Sequence, residues 1–219
     1  MYVIGVVPPC HPSRAALAVL HIRPGRGVRN AAALRALEEF PADAGLQAIA
    51  EYSGEVARSL RRDEGAPTPV RIVVEASALG DAGRGLWSRA GLRTAFVHVT
   101  GSKPQDARGR HPAPIWRGQI IEDLRLSLEQ QTFEVARALS LAERFTSQLA
   151  AIREKPPRID DDDFDAVSGH AGENLVIATG VALHEGLSVR PQGPHGFSVF
   201  TVPQPGPSSV WGAKLWDRP

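Results

Sequence analysis

Sulfur is scarce in this chain: 219 residues hold one cysteine, Cys10, and one methionine. A single thiol cannot form a disulfide within the chain, and it leaves a cysteine-based zinc site without partners. With no disulfide asking for an oxidising compartment, a cytoplasmic location is expected. Long hydrophobic runs are missing too. Nothing approaches the ~20 apolar residues of a membrane helix, so no membrane partner is expected. The apolar start, Tyr2–Val7, has no basic flank and stops at Pro8-Pro9. It reads as a strand and not as a signal peptide. Neither GxxxxGK[ST] nor GxGxxG occurs, so nothing argues for nucleotide binding. Charge of one sign is absent as well, because 25 Lys and Arg meet 24 Asp and Glu for a net charge of +1. That excludes a polybasic mode of nucleic-acid binding while allowing a local basic patch.

What is present reads as a soluble globule, 42% hydrophobic and 22% charged. Glycine (21) and proline (18) are plentiful enough to give loops a large share of the chain. Tyr2–Val7 and Ala15–Ile22 flank a turn and predict a hairpin of strands. Val28–Phe40 is ambiguous: its Ala, Leu and Glu content favours helix, while its place after a hairpin suits a third strand. Leu46–Leu60 is helical, with Leu46, Ile49, Ser53, Val56 and Leu60 on one face. Val70–Ala76 contains Ile72-Val73-Val74, a continuous run expected of a central strand buried on both faces. A short helix over Gly80–Ala90 and a strand over Thr94–Val99 follow. Gly101–Pro114 reads as a polar loop. Helices are expected over Ile120–Gln131, Leu139–Ile152 and Glu173–Leu187, with a short strand at Thr132–Val135. Asp160–Asp165 is an acidic loop. After Ser188 the chain is rich in Pro and Gly and has no period. Antiparallel strands followed by alternating β and α segments predict an α/β domain, a mixed β-sheet with helices on both faces.

Several segments carry a resemblance. Val3-Ile4-Gly5-Val6-Val7 is similar to a first strand of the form hhGhD, and Ala16-Leu17-Ala18-Val19-Leu20 to a return strand A-L-x-V-L. Val73-Val74-Glu75-Ala76-Ser77-Ala78-Leu79-Gly80 resembles VVDATGxG. Val99-Thr100-Gly101-Ser102 stands where a Thr-Gly-Gly-like turn is expected. His170 and Glu173-Asn174-Leu175-Val176-Ile177-Ala178 resemble the helix opening HDDLVxALALA. In this order and spacing, over about residues 1–187, the chain resembles the nuclease domain of phage terminase large subunits. The resemblance implies an RNase H-like fold at 1–187, with 188–219 as a Pro/Gly-rich C-terminal extension. Trp211 and Trp216 in that extension are large apolar surfaces, and at least one of them is expected to dock on the body or on a partner.

The chemistry implied by the resemblance is two-metal phosphodiester cleavage. Two Mg²⁺ or Mn²⁺ ions about 3.5–4 Å apart clamp the attacking and leaving oxygens, and such hard cations take carboxylate ligands. The first carboxylate position of the resemblance falls on Val7, which cannot ligate a metal. The second falls on Glu75. The third falls on Glu173 or Asn174, where the Asp-Asp pair has become Glu-Asn, and His170 stands two residues too far upstream. The candidate catalytic residues are therefore Glu75, Glu173 and Asn174, with Glu75 and Glu173 as the metal ligands. Candidate DNA contacts are Lys103, Arg108, Arg110 and Arg117, each able to neutralise a phosphate.

Blander readings stand beside these. Glu75 would then end a strand and pair with an arginine, Glu173 and Asn174 would open a helix as good capping residues, the cations would belong to a polar surface loop, and 160–165 would be a solvated acidic face. Cys10 and His11 would be incidental neighbours in a turn. With the first ligand replaced by Val7, the expectation is a degenerate nuclease domain that serves viral DNA packaging as a structural or DNA-docking part. Double-stranded DNA and a separate packaging ATPase or other phage assembly protein would be its partners, in the host cytoplasm. The alternatives are an active two-metal DNA endonuclease with an altered carboxylate set, drawing on Asp160–Asp165, and an unrelated soluble α/β binding module.

Overall fold

The computed structural model describes residues 1–9, 14–24, 30–63, 68–77, 79–89, 94–101, 113–136, 138–154 and 172–189. Three antiparallel strands come first: β1 (Tyr2–Val7), β2 (Ala16–Arg23) and β3 (Ala31–Glu39). Then follow α1 (Leu46–Asp63), β4 (Val70–Glu75), α2 (Asp81–Arg89), β5 (Thr94–Thr100), β6 (Ala113–Trp116) and α3 (Arg117–Glu129). β7 (Phe133–Val135), α4 (Ala142–Glu154) and α5 (Asn174–Ser188) complete the described elements. The sheet order is β6-β5-β4-β1-β2-β3-β7. β4 joins β1 in parallel, β5 and β6 extend that side in parallel, and β7 adds in parallel to β3. This is the mixed sheet expected from the order of segments.

Both faces are covered. Ile72 and Val74 face one layer with Ile49, Ala57, Leu60 and Trp87, from α1 and α2. Val73 faces the other with Val3, Val7, Leu20, Leu175, Ala178 and Val181, where α5 lies. The continuous apolar run of β4 is thus explained by burial on both sides. Arg71, the one exposed residue of β4, ion-pairs with Glu185 of α5.

α5 crosses β1 at close range. A Cβ on Gly5 would stand 2.0 Å from the Ala178 carbonyl oxygen and 3.0 Å from the Ala182 Cβ. Farther along, Gly186 lies against Ile22 and Gly180 against Ile120 of α3. Small residues on both partners let the helix backbone approach the sheet. They also fix its direction, antiparallel to β1, so its first turn lies at the C-terminal end of that strand. Both ends of α5 are capped from afar. The Gln148 side-chain oxygen, on α4, accepts from the Leu175 N–H at 3.2 Å. Asn30 donates to the carbonyls of Gly186 and Val189 at 3.0 and 2.9 Å. These bonds satisfy groups that a helix leaves without internal partners.

One open reading is decided in favour of strand, and one expectation needs correction. Val28–Phe40 resolves as strand over Ala31–Glu39, because β2 and β7 take its two edges. Ladder bonds on both sides outweigh the weak helix preference of Ala, Leu and Glu. The loop expected over Gly101–Pro114 gives way at its end to β6, an edge strand that pairs His98 with Pro114 in its register. An edge position tolerates a residue without an N–H.

Candidate functional site

β1, β4, β5 and β6 run in parallel, so their C-terminal ends share one edge of the sheet. In open α/β sheets, ligands bind outside such ends. β3 ends on the same edge, since Glu39 pairs with Ala16 and Ala16 with Val7. The β1–β4 register runs from Tyr2 beside Val70 to Val6 beside Val74, so the next step places Val7 beside Glu75.

Glu75 ends β4 and is 3% exposed. Its Oε1 accepts from the Ser77 N–H at 2.9 Å, from the Val99 N–H at 3.2 Å, and from the Ser77 hydroxyl. Burial raises the carboxyl pKa above its ordinary value of 4.5. The bonds from Ser77 and Val99, and the nearness of His98, oppose that rise. Because the folded state holds this proton more tightly than the unfolded state, the group's contribution to stability is fully present below pH 4.5. It is lost as pH rises through the folded value. At neutral pH the burial of this carboxyl group therefore costs stability. Glu75→Gln, which preserves shape and an acceptor, is expected to stabilise the fold at pH 7 by about 1 kcal/mol. The gain should shrink toward pH 4, and chemical denaturation at the two pH values checks both statements.

The third position is also built from distant parts. Glu173 is the N-cap residue of α5, but its side chain makes no capping bond. Its Oε2 instead accepts from Arg117 Nη2 at 2.6 Å and Nε at 3.2 Å. Asn174 is buried; its amide donates to the Arg14 carbonyl, and its Oδ1 is buried with no hydrogen-bond partner among the described residues. Arg117, expected among the phosphate contacts, is 8% exposed and holds Glu173. It opens α3 directly after the last residue of β6, which puts it on the same edge.

The edge thus gathers Glu75, Glu173, Asn174 and Arg117 around the end of β1. Lys103, Arg108, Arg110, His170, residues 160–165, Cys10, His11 and residues 190–219 with Trp211 and Trp216 lie outside the described residues. Sequence reasoning missed two further cations. Glu39, its side chain largely buried, pairs with Arg144 of α4 at 2.8 Å and with Arg14 at 3.4 Å. Both guanidinium groups are half-exposed, and two cations on one anion leave one excess positive charge beside Val7 and Asn174. No local motif announces this pairing, which the topology creates.

These residues do not fit a pair of divalent ions. The first ligand position carries only hydrocarbon. One oxygen of the second already takes three donors, and the third is engaged by a guanidinium. Among the described residues, no group of three or more His, Cys, Asp or Glu side chains could hold a metal.

No family model and no curated protein matches the chain. Solved structures do. The human cytomegalovirus terminase nuclease domain, soaked with Mn, is similar at a TM-score of 0.52 and 15% identity, over 84% of this chain and 83% of that one. The same domain, Mn-soaked with an inhibitor bound, is similar at 0.52 and 16%, over 83% and 81%. The large terminase nuclease from thermophilic phage G20c with bound zinc aligns at 0.48 and 16%, over 84% and 81%. At such identities the likeness to the cytomegalovirus domain is one of fold, and this chain has the RNase H-like fold of a terminase nuclease domain.

Proposed function

We propose that this chain is a terminase-nuclease-like domain that no longer cleaves DNA and serves DNA packaging as a structural and DNA-docking part. The observation that supports the reading is the parallel register of β1 on β4, which runs to Val6 beside Val74; continued by one residue it brings Val7 beside Glu75, where a cleaving site would pair two carboxylates. Double-stranded DNA is the proposed ligand and a separate packaging ATPase or phage assembly protein the proposed partner, in the host cytoplasm. No helix among the described residues is long and apolar enough to cross a membrane. Arg14 and Arg144, half-exposed beside the end of β1, supply the phosphate contacts on the described surface. Lys103, Arg108 and Arg110 are proposed to extend them.

Two measurements test the reading. Supercoiled plasmid with Mg²⁺ or Mn²⁺ should remain uncut. Duplex DNA should be retained in a gel-shift assay with a salt-dependent affinity. Arg144→Ala leaves Arg14 and Glu39 as a neutral pair, so it should reduce the slope of log affinity against log salt by about 0.9. Metal-dependent nicking that Glu75→Ala abolishes would identify an active endonuclease with an altered carboxylate set. Absence of DNA binding at low salt would leave an α/β module with another partner.

A further inference from the structure

We propose that Arg117 is a built-in cation that closes this edge to divalent metals by holding the carboxylate of Glu173. The inference rests on the reading above, that the edge is no longer a two-metal centre, and it names what stands there instead. Arg117 and Glu173 are 56 residues apart and meet between two elements, the start of α3 at the end of β6 and the N-cap of α5. Both guanidinium donors converge on one carboxylate oxygen, at 2.6 and 3.2 Å, and Arg117 is 8% exposed.

Glu173 is only partly buried, but the guanidinium it faces is buried, and a carboxylate held by a permanent cation has its charge compensated without an ion. A divalent ion arriving there would have to displace the guanidinium or lie against it, and like charges at such distances repel strongly where water is scarce. Among the described residues, the neighbouring groups offer little counterweight: the Asn174 amide oxygen, which has no hydrogen-bond partner there, brings no charge. Glu75 Oε1 is occupied by Ser77 and Val99 donors, and Val7 supplies no oxygen. The N–H of Leu175, in the positive first turn of α5, is answered by Gln148 and not by an acid. The pair also ties α3 to α5, so a merely structural strut must be told apart from a metal-excluding cation.

The test reads Mn²⁺ binding by electron paramagnetic resonance and Mn²⁺-dependent thermal shift, with EDTA as the reference, on the full chain. Wild type should bind no Mn²⁺ at micromolar free ion and show no shift. Arg117→Gln should melt lower in EDTA and bind Mn²⁺ at least about tenfold more tightly than wild type. That gain should vanish in Arg117→Gln/Glu173→Gln. Arg117→Lys, which keeps the charge, should continue to exclude Mn²⁺, a result a strut alone does not require. Folded Arg117→Gln with no gain in Mn²⁺ affinity overturns the proposal. Wild type that retains Mn²⁺ at micromolar free ion, and loses it in Glu75→Gln or Glu173→Gln, overturns it without any Arg117 variant having to fold. The plasmid assay on the same samples separates the two ideas. Nicking by wild type removes the functional reading, whereas uncut plasmid with no Mn²⁺ gain in Arg117→Gln removes only this one.

Discussion

Gly5→Ala is expected to destabilise the protein by about 3 kcal/mol or more, at the upper end of what overpacking a core costs. Gly5→Val is expected to prevent folding. The added Cβ would stand 2.0 Å from the Ala178 carbonyl oxygen and 3.0 Å from the carbonyl carbon. These are backbone atoms of a helix, so no rotamer change can relieve the contact, and α5 would have to lift from β1. That helix holds Leu175, Val176, Ile177, Ala178, Val181, Ala182 and Leu183, all fully buried, so lifting it opens one whole face of the sheet. Gly85, within α2, is the control. A Cβ there meets nothing within 4 Å, so Gly85→Ala should be stabilising by up to about 1 kcal/mol through helix propensity. Equal losses in the two variants, measured by urea denaturation, would contradict this account of the β1–α5 contact.

Val7→Asp is expected to have the second largest effect, a loss that is larger in EDTA than in Mn²⁺. Val7 is 3% exposed and belongs to the α5-side core. In EDTA, a carboxylate there is buried without a partner and stands beside Glu75, so the two acids repel each other and one is driven to take up a proton. A loss of about 3 kcal/mol is expected. Millimolar Mn²⁺ should return part of that loss, because a ligand that binds only the folded state stabilises it by mass action. Combining Val7→Asp with Arg117→Gln should enlarge the return. A melting temperature that falls equally with and without Mn²⁺ would mean that the edge cannot accept a metal even with its first acid restored.

The sequence carried much of the fold. The apolar run Ile72-Val73-Val74 located the central strand, and Tyr2–Val7 located the strand beside it. The opening of α5 was legible because Glu173 and Asn174 precede an apolar run. Other parts were not legible, for reasons that lie in tertiary structure. Ala31–Glu39 is a strand because two neighbours pair with it, and no local feature of its Ala-rich run says so. β6 is four residues at an edge and includes a proline, too short for any periodicity. Arg117 looked like one more cation after a polar loop. Its ion pair with Glu173 joins positions 56 residues apart, and so do the contacts of Arg14 and Arg144 depend on the path of β3 and α4. Spacing rules see neighbours in sequence, whereas this edge is assembled from chain ends and helix starts that the sheet order brings together.

The capping of α5 has a consequence for how the protein comes off the ribosome. Gln148 closes one end of the helix and Asn30 the other, and nearly every residue between is buried. As a free segment it is a short, mostly apolar stretch with neither end satisfied, which is a poor autonomous helix. Everything needed to cover the α1–α2 side of β1 to β5 has been synthesised by residue 100. The opposite side waits for a helix that begins at 174. During that interval Val3, Leu20 and Val73 are exposed on a sheet that has already begun to form, the kind of surface that recruits chaperones or other nascent chains. Nascent chains stalled before residue 174 should therefore be bound by holdase chaperones, and those stalled well beyond residue 188 released from them.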